Sequence, residues 1–213
     1  MRWPDSTVRM IGIAFLFVLS WLHQNTLAKA QSDYFPLQKG CSWLYKARQN
    51  MHYYPVKLSV ESVQTKGASS IYTVKRVDGF SDSIITYERN GDSVFLLATK
   101  NLKMPRLSTD FDPKQLVMKQ PVTKNGKWSW QGKANLGVTT QEDDTVMDQE
   151  IVTVPAGKFK CVKIATTSTK GMLVETQLRW YADHVGLVKE QRFSQEYGNE
   201  MVLTKFVCPK NEP

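Results

Sequence analysis

The sequence predicts an all-β fold, a single-domain antiparallel β-barrel or half-barrel of roughly eight to ten strands. Three observations carry that expectation. Apolar residues recur with a period of two along most of the chain, as in "VKLSVESV" and "SIYTVKRV". Turn signals separate the short apolar runs, with Gly137, Gly157, Gly171, Gly186 and Gly198 punctuating the C-terminal half. Helix signals are almost absent.

The first thirty residues read as a cleaved export signal. Arg2 and Arg9 form a basic start, Met10 to Leu22 an apolar run, and Ala28-Lys29-Ala30 a small-x-small cleavage pattern. An apolar run this short falls below the roughly 20 residues that a membrane-spanning helix needs. No later run is long enough, so the mature chain has no transmembrane segment. That chain is residues 31–213 with a net charge of +6, its lysines scattered singly over the strands rather than gathered in a patch. A chain of this size buries roughly 70% of its unfolded surface without needing a disulfide scaffold.

In "VKLSVESV", Val56, Leu58 and Val60 share one strand face, opposite Lys57, Ser59 and Glu61. "IITYERNGDSVFLL" reads as a hairpin with a type I′ turn at Asn90-Gly91, opposing Arg89 to Asp92, Tyr87 to Val94 and Ile85 to Leu96. Leu102 to Gln120 reads as a long connection between two halves, with a short helical turn starting at Pro113 behind an Asp112 or Asp110 cap. Asn125-Gly126 marks a turn before "KWSW", Pro155 to Gly157 a reversal, and Asp183 to Gly186 a bend. Beyond that bend Leu187 and Lys189 alternate with Val188 and Glu190. "EMVLTKFVC" closes the chain as a strand.

The halves echo one another. "PLQKGCSWLY" from Pro36 and "PVTKNGKWSW" from Pro121 share Pro, an aliphatic residue, Lys, Trp and an aromatic at a constant offset of 85. A duplicated half-barrel would place Trp43 and Trp128 at equivalent core positions.

The segments "DYFPLQKGCSWLYK", "VPAGKFKCVKI" and "WYADHVGLVKEQ" resemble those of TapB-like secreted bacterial proteins. These motifs span Tyr34 to about Gln191, while Arg48 to Glu150 carries little of the likeness. The resemblance implies a barrel or half-barrel broadly like periplasmic lipoprotein-carrier folds, and it supplies neither a reaction nor catalytic residues. Cys41 departs from it, standing where such proteins more often have a small polar residue.

Cys41, Cys161 and Cys208 lie in an exported chain, which favours one disulfide and one free thiol. Cys161 with Cys208 is the preferred pair, since a meander brings C-terminal strands together, and Cys41 with Cys208 comes next. A nucleophilic cysteine needs a histidine partner and a depressed pKa, and His52 and His184 are the sole histidines after the signal. Cys161 therefore reads as a buried or bonded strand residue. Asp183 with His184, and Glu142-Asp143-Asp144, are acidic clusters of loop type with no metal-ligand spacing. No motif for a cofactor or for nucleophilic catalysis stands out.

Trp43, Tyr45, Trp128, Trp130, Trp180 and Tyr181 are the candidate ligand-lining residues, rings able to line the mouth of a barrel. The competing reading is that they simply fill the core. Lys124, Lys127 and Lys133 around Trp128 and Trp130 resemble a base-stacking surface, but export argues against a nucleic-acid partner. The leading function is a non-enzymatic exported module, periplasmic or secreted, that holds an apolar small molecule, lipid or peptide. A structural or protein-interaction component of the cell envelope with a filled core is the alternative, and an envelope hydrolase is third. Intact-mass analysis of the exported protein should give a chain starting at Gln31; a mass that retains the first thirty residues refutes the cleaved signal.

Overall fold

A computed structural model describes residues 31–134, 137–194 and 198–209, so the expected signal lies outside the described residues. Twelve strands run in chain order: β1 (Ser42–Gln49), β2 (His52–Lys66), β3 (Ser69–Asp78), β4 (Asp82–Asn90), β5 (Ser93–Asn101), β6 (Thr109–Lys119), β7 (Lys127–Ala134), β8 (Val138–Val154), β9 (Gly157–Lys170), β10 (Leu173–Ala182), β11 (Gly186–Phe193) and β12 (Gly198–Val207). Each pairs antiparallel with its sequence neighbour, and β1 pairs with β12 to close the barrel. The all-β barrel expectation holds, with more strands than the turn spacing suggested.

The expected long connection from Leu102 to Gln120 is mostly strand. Only a 3-10 turn at Pro105–Leu107 precedes β6, and no helix starts at Pro113. Pro113 instead sits within β6, where its missing N–H weakens the ladder to β7. A single residue pair, Asp112 with Lys133, joins the two strands. The Trp130 indole donates to the Pro113 carbonyl (2.9 Å) and bridges that seam from inside.

The β4–β5 hairpin turns one residue later than the Asn-Gly signal implies. Asn90 pairs with Ser93, and Gly91 and Asp92 form the loop. Only the glycine has a positive φ there (+56°), so the geometry asks for one left-handed residue rather than two. Arg89 consequently faces Val94 and Tyr87 faces Leu96. The partners of Arg89 and Tyr87 move by two residues, which preserves the strand faces, and Ile85 faces Thr99 rather than the expected Leu96 because Leu97 is an extra residue in β5.

The offset of 85 carries β1 onto β7 residue for residue, and each opens a run of six strands. Trp43 and Trp128 thus hold the second position of corresponding strands on opposite sides of the barrel. The Asn125-Gly126 turn forms with Asn125 at φ +63°, directly before β7.

The expected Cys161–Cys208 bridge does not form. Cys41 is bonded to Cys208, and Cys161 is free and buried on β9. The cause is topological. Closure sets Ser42 opposite Val207, so the next residue out on each strand is a cysteine facing its partner. β9, by contrast, is separated from β12 by β10 and β11. The bond spans 167 residues of sequence. Constraining a loop of that length in the unfolded chain is worth about 5 kcal/mol in the chain-entropy account. Replacing Cys208 by Ser should lower unfolding stability by about 2–5 kcal/mol in a denaturant titration, whereas Cys161→Ser should leave the bridge and its redox response unchanged. An unchanged midpoint for the Cys208 variant would contradict the staple.

Candidate ligand-binding cavity

The barrel interior contains a cavity of about 330 Å³. Its floor is the segment leading into β1, where Phe35, Pro36 and Leu37 reach the cavity from below. Asp33 anchors this segment. Its carboxylate accepts from Arg89 at 3.0 and 3.2 Å and from Gln120 at 3.1 Å, while its backbone N–H donates to Asp183. Arg89 also donates to the Phe35 carbonyl. Burial alone would raise the Asp33 pKa, but the bonds and charge of Arg89, with the Phe35 amide, hold it below the usual carboxylate value. The Phe35 ring lies edge-on to Tyr87, with centroids 5.2 Å apart, and near Tyr181 at 6.3 Å.

Two kinds of wall face each other. On β1 to β5 the lining is mainly apolar and includes Trp43, Tyr45, Leu58, Ile85 and Leu96. On β8 to β11 it is charged and amide-rich, with Glu142, Lys170, Gln177, Arg179, Glu190 and Arg192. Strand alternation selects these residues, since Glu142 and Asp144 point inward while Asp143 stays outside beside Gln141. The acidic triplet is therefore split between faces and is not one loop cluster.

A bulge completes the charged wall. Trp180 pairs with Lys189 and Tyr181 with Leu187, leaving Val188 as the extra residue. The simple alternation expected after the bend is broken there. Leu187, Glu190 and Arg192 reach the cavity while Lys189 does not.

The charged groups are tied to one another. Arg179 donates to Asp144 (2.7 Å) and to Thr166 (2.6 Å). Gln177 (2.7 Å) and Arg192 (2.8 Å) both donate to Glu190. Gln115 donates to Glu142. Burial opposes the charge on Arg179, but Tyr181, Asp144, Glu190 and Glu142 around it outweigh this and raise its pKa. Burial lifts Glu142 and Asp144 above the usual carboxylate range despite Arg179. At Glu190 the opposite sign wins, because Arg192, Arg179 and Arg76 together overcome desolvation and lower its pKa.

Of the six rings singled out from the sequence, Trp43, Tyr45 and Tyr181 line the cavity. Trp43 donates to the Val185 carbonyl (2.7 Å) and Tyr45 to that of Leu187 (3.0 Å), so both are fixed in place. Trp128 packs on the lower core with Val94, Met118 and Ile164, and Trp130 packs edge-on to Phe111. Both face inward, which removes the stacking surface that their neighbouring lysines suggested. Trp180 lies outside the cavity, donating to Glu150 beneath the ammonium groups of Lys163 and Lys189. The charged residues of the wall do not figure among the ligand-lining candidates read from sequence, where Glu142 appears only in an acidic cluster of loop type. Their signal was present as Glu142, Asp144 and Arg179 on the inward parity of their strands.

Cys161 is buried, and desolvation, with the charge of Glu150, pushes its thiol up to about 12. It is therefore a neutral thiol at neutral pH. His184 stands exposed in the β10–β11 turn beside Asp183. This is not the arrangement of an activated cysteine.

Fold and site together define a closed antiparallel barrel, floored at one end and hollow within. The chain belongs to the DUF3108-like family, whose model matches residues 86–202. Its fold is that of a candidate lipoprotein from Parabacteroides distasonis, with a TM-score of 0.58 and 14% identity over 84% of this chain and 100% of that one. It is also that of a candidate exported protein with a YmcC-like fold from Bacteroides fragilis, with a TM-score of 0.56 and 11% identity over 83% and 100%. No curated protein matches the chain. Neither the family nor these two neighbours is described as an enzyme.

Replacing Asp33 by Asn should destabilise the floor by about 1–2 kcal/mol at pH 7, because Arg89 loses its charged partner. A lowered Asp33 pKa means its stabilisation is present above the unfolded value of 3.8 and is lost as pH falls through the folded pKa. The gap between wild type and variant in urea titrations should therefore close below about pH 4. A gap that stays constant down to pH 3 excludes the ionic anchor.

Proposed function

We propose that the protein is an exported, non-enzymatic binding or carrier module holding one amphipathic ligand in the barrel cavity. The observation that carries this reading is the division of a 330 Å³ cavity into an apolar wall and a charged wall. That volume falls at the small end of the range for ligand pockets, about 300–1,000 Å³. A purely apolar ligand would leave the charged wall desolvated without compensation, which is costly. A ligand with an apolar body against Leu58, Ile85 and Leu96 and a polar head against Gln177, Arg179 and Arg192 fits both walls. Arg76, Lys170, Arg179 and Arg192 line the cavity against Glu142, Glu175 and Glu190, and Asp144 behind the lining pairs with Arg179, so the head is polar or zwitterionic rather than strongly charged. Arg179 Nε is buried without a protein partner and offers a spare donor.

The cavity weighs against the filled-core alternative, which requires its rings to close the interior. Glu142 and Glu190, with pKa values displaced in opposite directions, are the closest approach to the acid–base pair of a hydrolase. Each is already engaged, by Gln115 in one case and by Gln177 and Arg192 in the other. The TapB-like motifs and the two exported or lipoprotein-like neighbours support export to the periplasm or medium.

Native mass spectrometry of protein purified from the exported fraction tests the proposal. A discrete co-purifying adduct is expected for the wild type and should be absent from Thr99→Trp, which fills the cavity from β5. Thermal unfolding within a few degrees of wild type would confirm that this variant folds. Lack of any adduct on the wild type, or one that survives in Thr99→Trp, would refute the cavity as the site.

A further inference from the structure

The two ends of the barrel differ in a way that the cavity does not explain. At the floor end the turns are small or polar, namely Gly67-Ala68, Gly91-Asp92, Pro155-Ala156 and Asp183-His184. At the opposite end the connections carry bulky apolar residues. Met51 follows Asn50 in the β1–β2 turn and is 88% exposed, Phe80 in the β3–β4 turn is 62% exposed, and Met172 follows Gly171 in the β9–β10 turn at 99%. Leu102 and Leu107 are exposed in the β5–β6 connection, and Tyr53 at the start of β2. Turn tips normally hold Gly, Asn, Asp or Ser, because those residues suit the backbone and remain hydrated. Among the described residues, large apolar groups stand exposed at the β1–β2, β3–β4, β5–β6 and β9–β10 connections of this end and form an apolar rim.

The rim surrounds the upper end of the cavity. Floor residues Phe35 to Leu37 close the lower end, whereas the lining at the other end reaches Thr99, Lys170, Glu175 and Arg192, just below these turns. The Phe80 ring is held edge-on against Tyr54 at 4.9 Å and so projects from a fixed base. Basic residues are interleaved with the apolar ones. Among the described residues the exposed charges at this level are Arg48, Lys100, Lys103, Arg106 and Lys133, against Asp110 and Asp112, with Lys103 paired to the part-exposed Asp82 (3.7 Å). Lower down, the outer wall is a hydrated surface bearing Lys46, Lys57, Lys75 and Lys160, unlike the apolar belt of a membrane-spanning barrel. Apolar tips combined with excess positive charge suit the interfacial layer of an anionic bilayer, where hydrophobic insertion and electrostatic attraction add.

We infer that the rim opposite the floor docks the barrel, mouth first, onto an anionic lipid bilayer. The contact is peripheral. Met51, Phe80 and Met172 enter the headgroup layer, and the neighbouring Lys and Arg side chains meet lipid phosphates. This inference does not depend on what occupies the cavity, because it rests on the tips alone.

Cosedimentation of the exported protein with vesicles tests it. One set contains phosphatidylglycerol and phosphatidylethanolamine at 1:3 (about 25% anionic lipid, within the range where basic clusters respond to surface charge), and the other is phosphatidylcholine alone. The wild type is expected to bind the anionic vesicles at least about tenfold better than the neutral ones, and to be partly released by high salt. The combined variant Met51→Ser, Phe80→Ser and Met172→Ser should lose at least about tenfold of that binding. Its melting temperature should fall by no more than a few degrees, since Met51 and Met172 are exposed and Phe80 gives up only its edge contact with Tyr54. Thr99→Trp should bind vesicles like the wild type, which separates this inference from the cavity reading. Wild-type protein remaining in the supernatant, or a triple variant that still sediments with the vesicles, overturns the proposal. Rim-dependent self-association in analytical ultracentrifugation without vesicle binding overturns it too, and assigns the rim to contacts between copies.

Discussion

The volume enclosed by twelve strands is the constraint from which the rest of this structure follows. A closed sheet widens as strands are added, and about eight strands already give an interior that inward side chains can just fill. With twelve, the surplus space must be packed from elsewhere, crossed by long paired side chains or left open. The protein does all three at different levels. Below, Ser32 to Gly40 closes the floor with Phe35 and Leu37 packed on the lower core. In the middle, long charged side chains extend from one wall and satisfy one another. Between them the cavity persists. Closure itself depends on β1 meeting β12, where the cysteines just outside the last residue pair are bonded to each other.

Local features of this fold were legible in the sequence because they depend on near neighbours. Turns at Asn125-Gly126, Pro155-Ala156 and Asp183 to Gly186 follow from backbone preferences, and the period-two runs follow from one buried face per strand. Features set by nonlocal geometry were not legible. The strand count rose because Pro113 looked like a helix start, yet β6 is needed to carry Phe111, Gln115 and Val117 to the interior. The disulfide partner was fixed by which strands meet at closure, and no sequence spacing encodes that. The site was half readable. Trp43, Tyr45 and Tyr181 signal themselves as large rings on inward parity, whereas Glu190 and Arg192 arrive inside through the bulge at Val188. A one-residue insertion in one strand changes the facing of everything beyond it, so alternation counted from the bend sets Glu190 on the face opposite Leu187, whereas both line the cavity.

The two halves of the barrel also differ in what they bring to the site. Trp43 and Trp128 hold corresponding places, but their surroundings differ. Trp43 borders the cavity and bonds to the Val185 carbonyl, while Trp128 is packed among Val94, Met118 and Val146 with its indole N–H unpaired. The first half supplies the apolar wall, and the second supplies Glu142, Arg179 and Glu190. Neither half alone makes a two-faced cavity. The composite arises because closure turns the two walls towards each other across the same space.

That composite has an electrostatic consequence for anything bound there. Arg179 is kept charged by Tyr181, Asp144, Glu190 and Glu142 despite its burial, and Glu190 is kept ionised by the guanidinium groups around it. A charged guest would have to break one of these pairings, leaving its former partner buried and uncompensated, which costs several kcal/mol. A guest with dipoles but no net charge can add hydrogen bonds while the pairs stay intact. The wall is thus polar in its contacts with its charges largely paired, so under the proposed function an occupant would gain from head-group hydrogen bonding and lose by carrying net charge. Its apolar counterpart on β1 to β5 would, on the same proposal, favour a body that water would rather exclude.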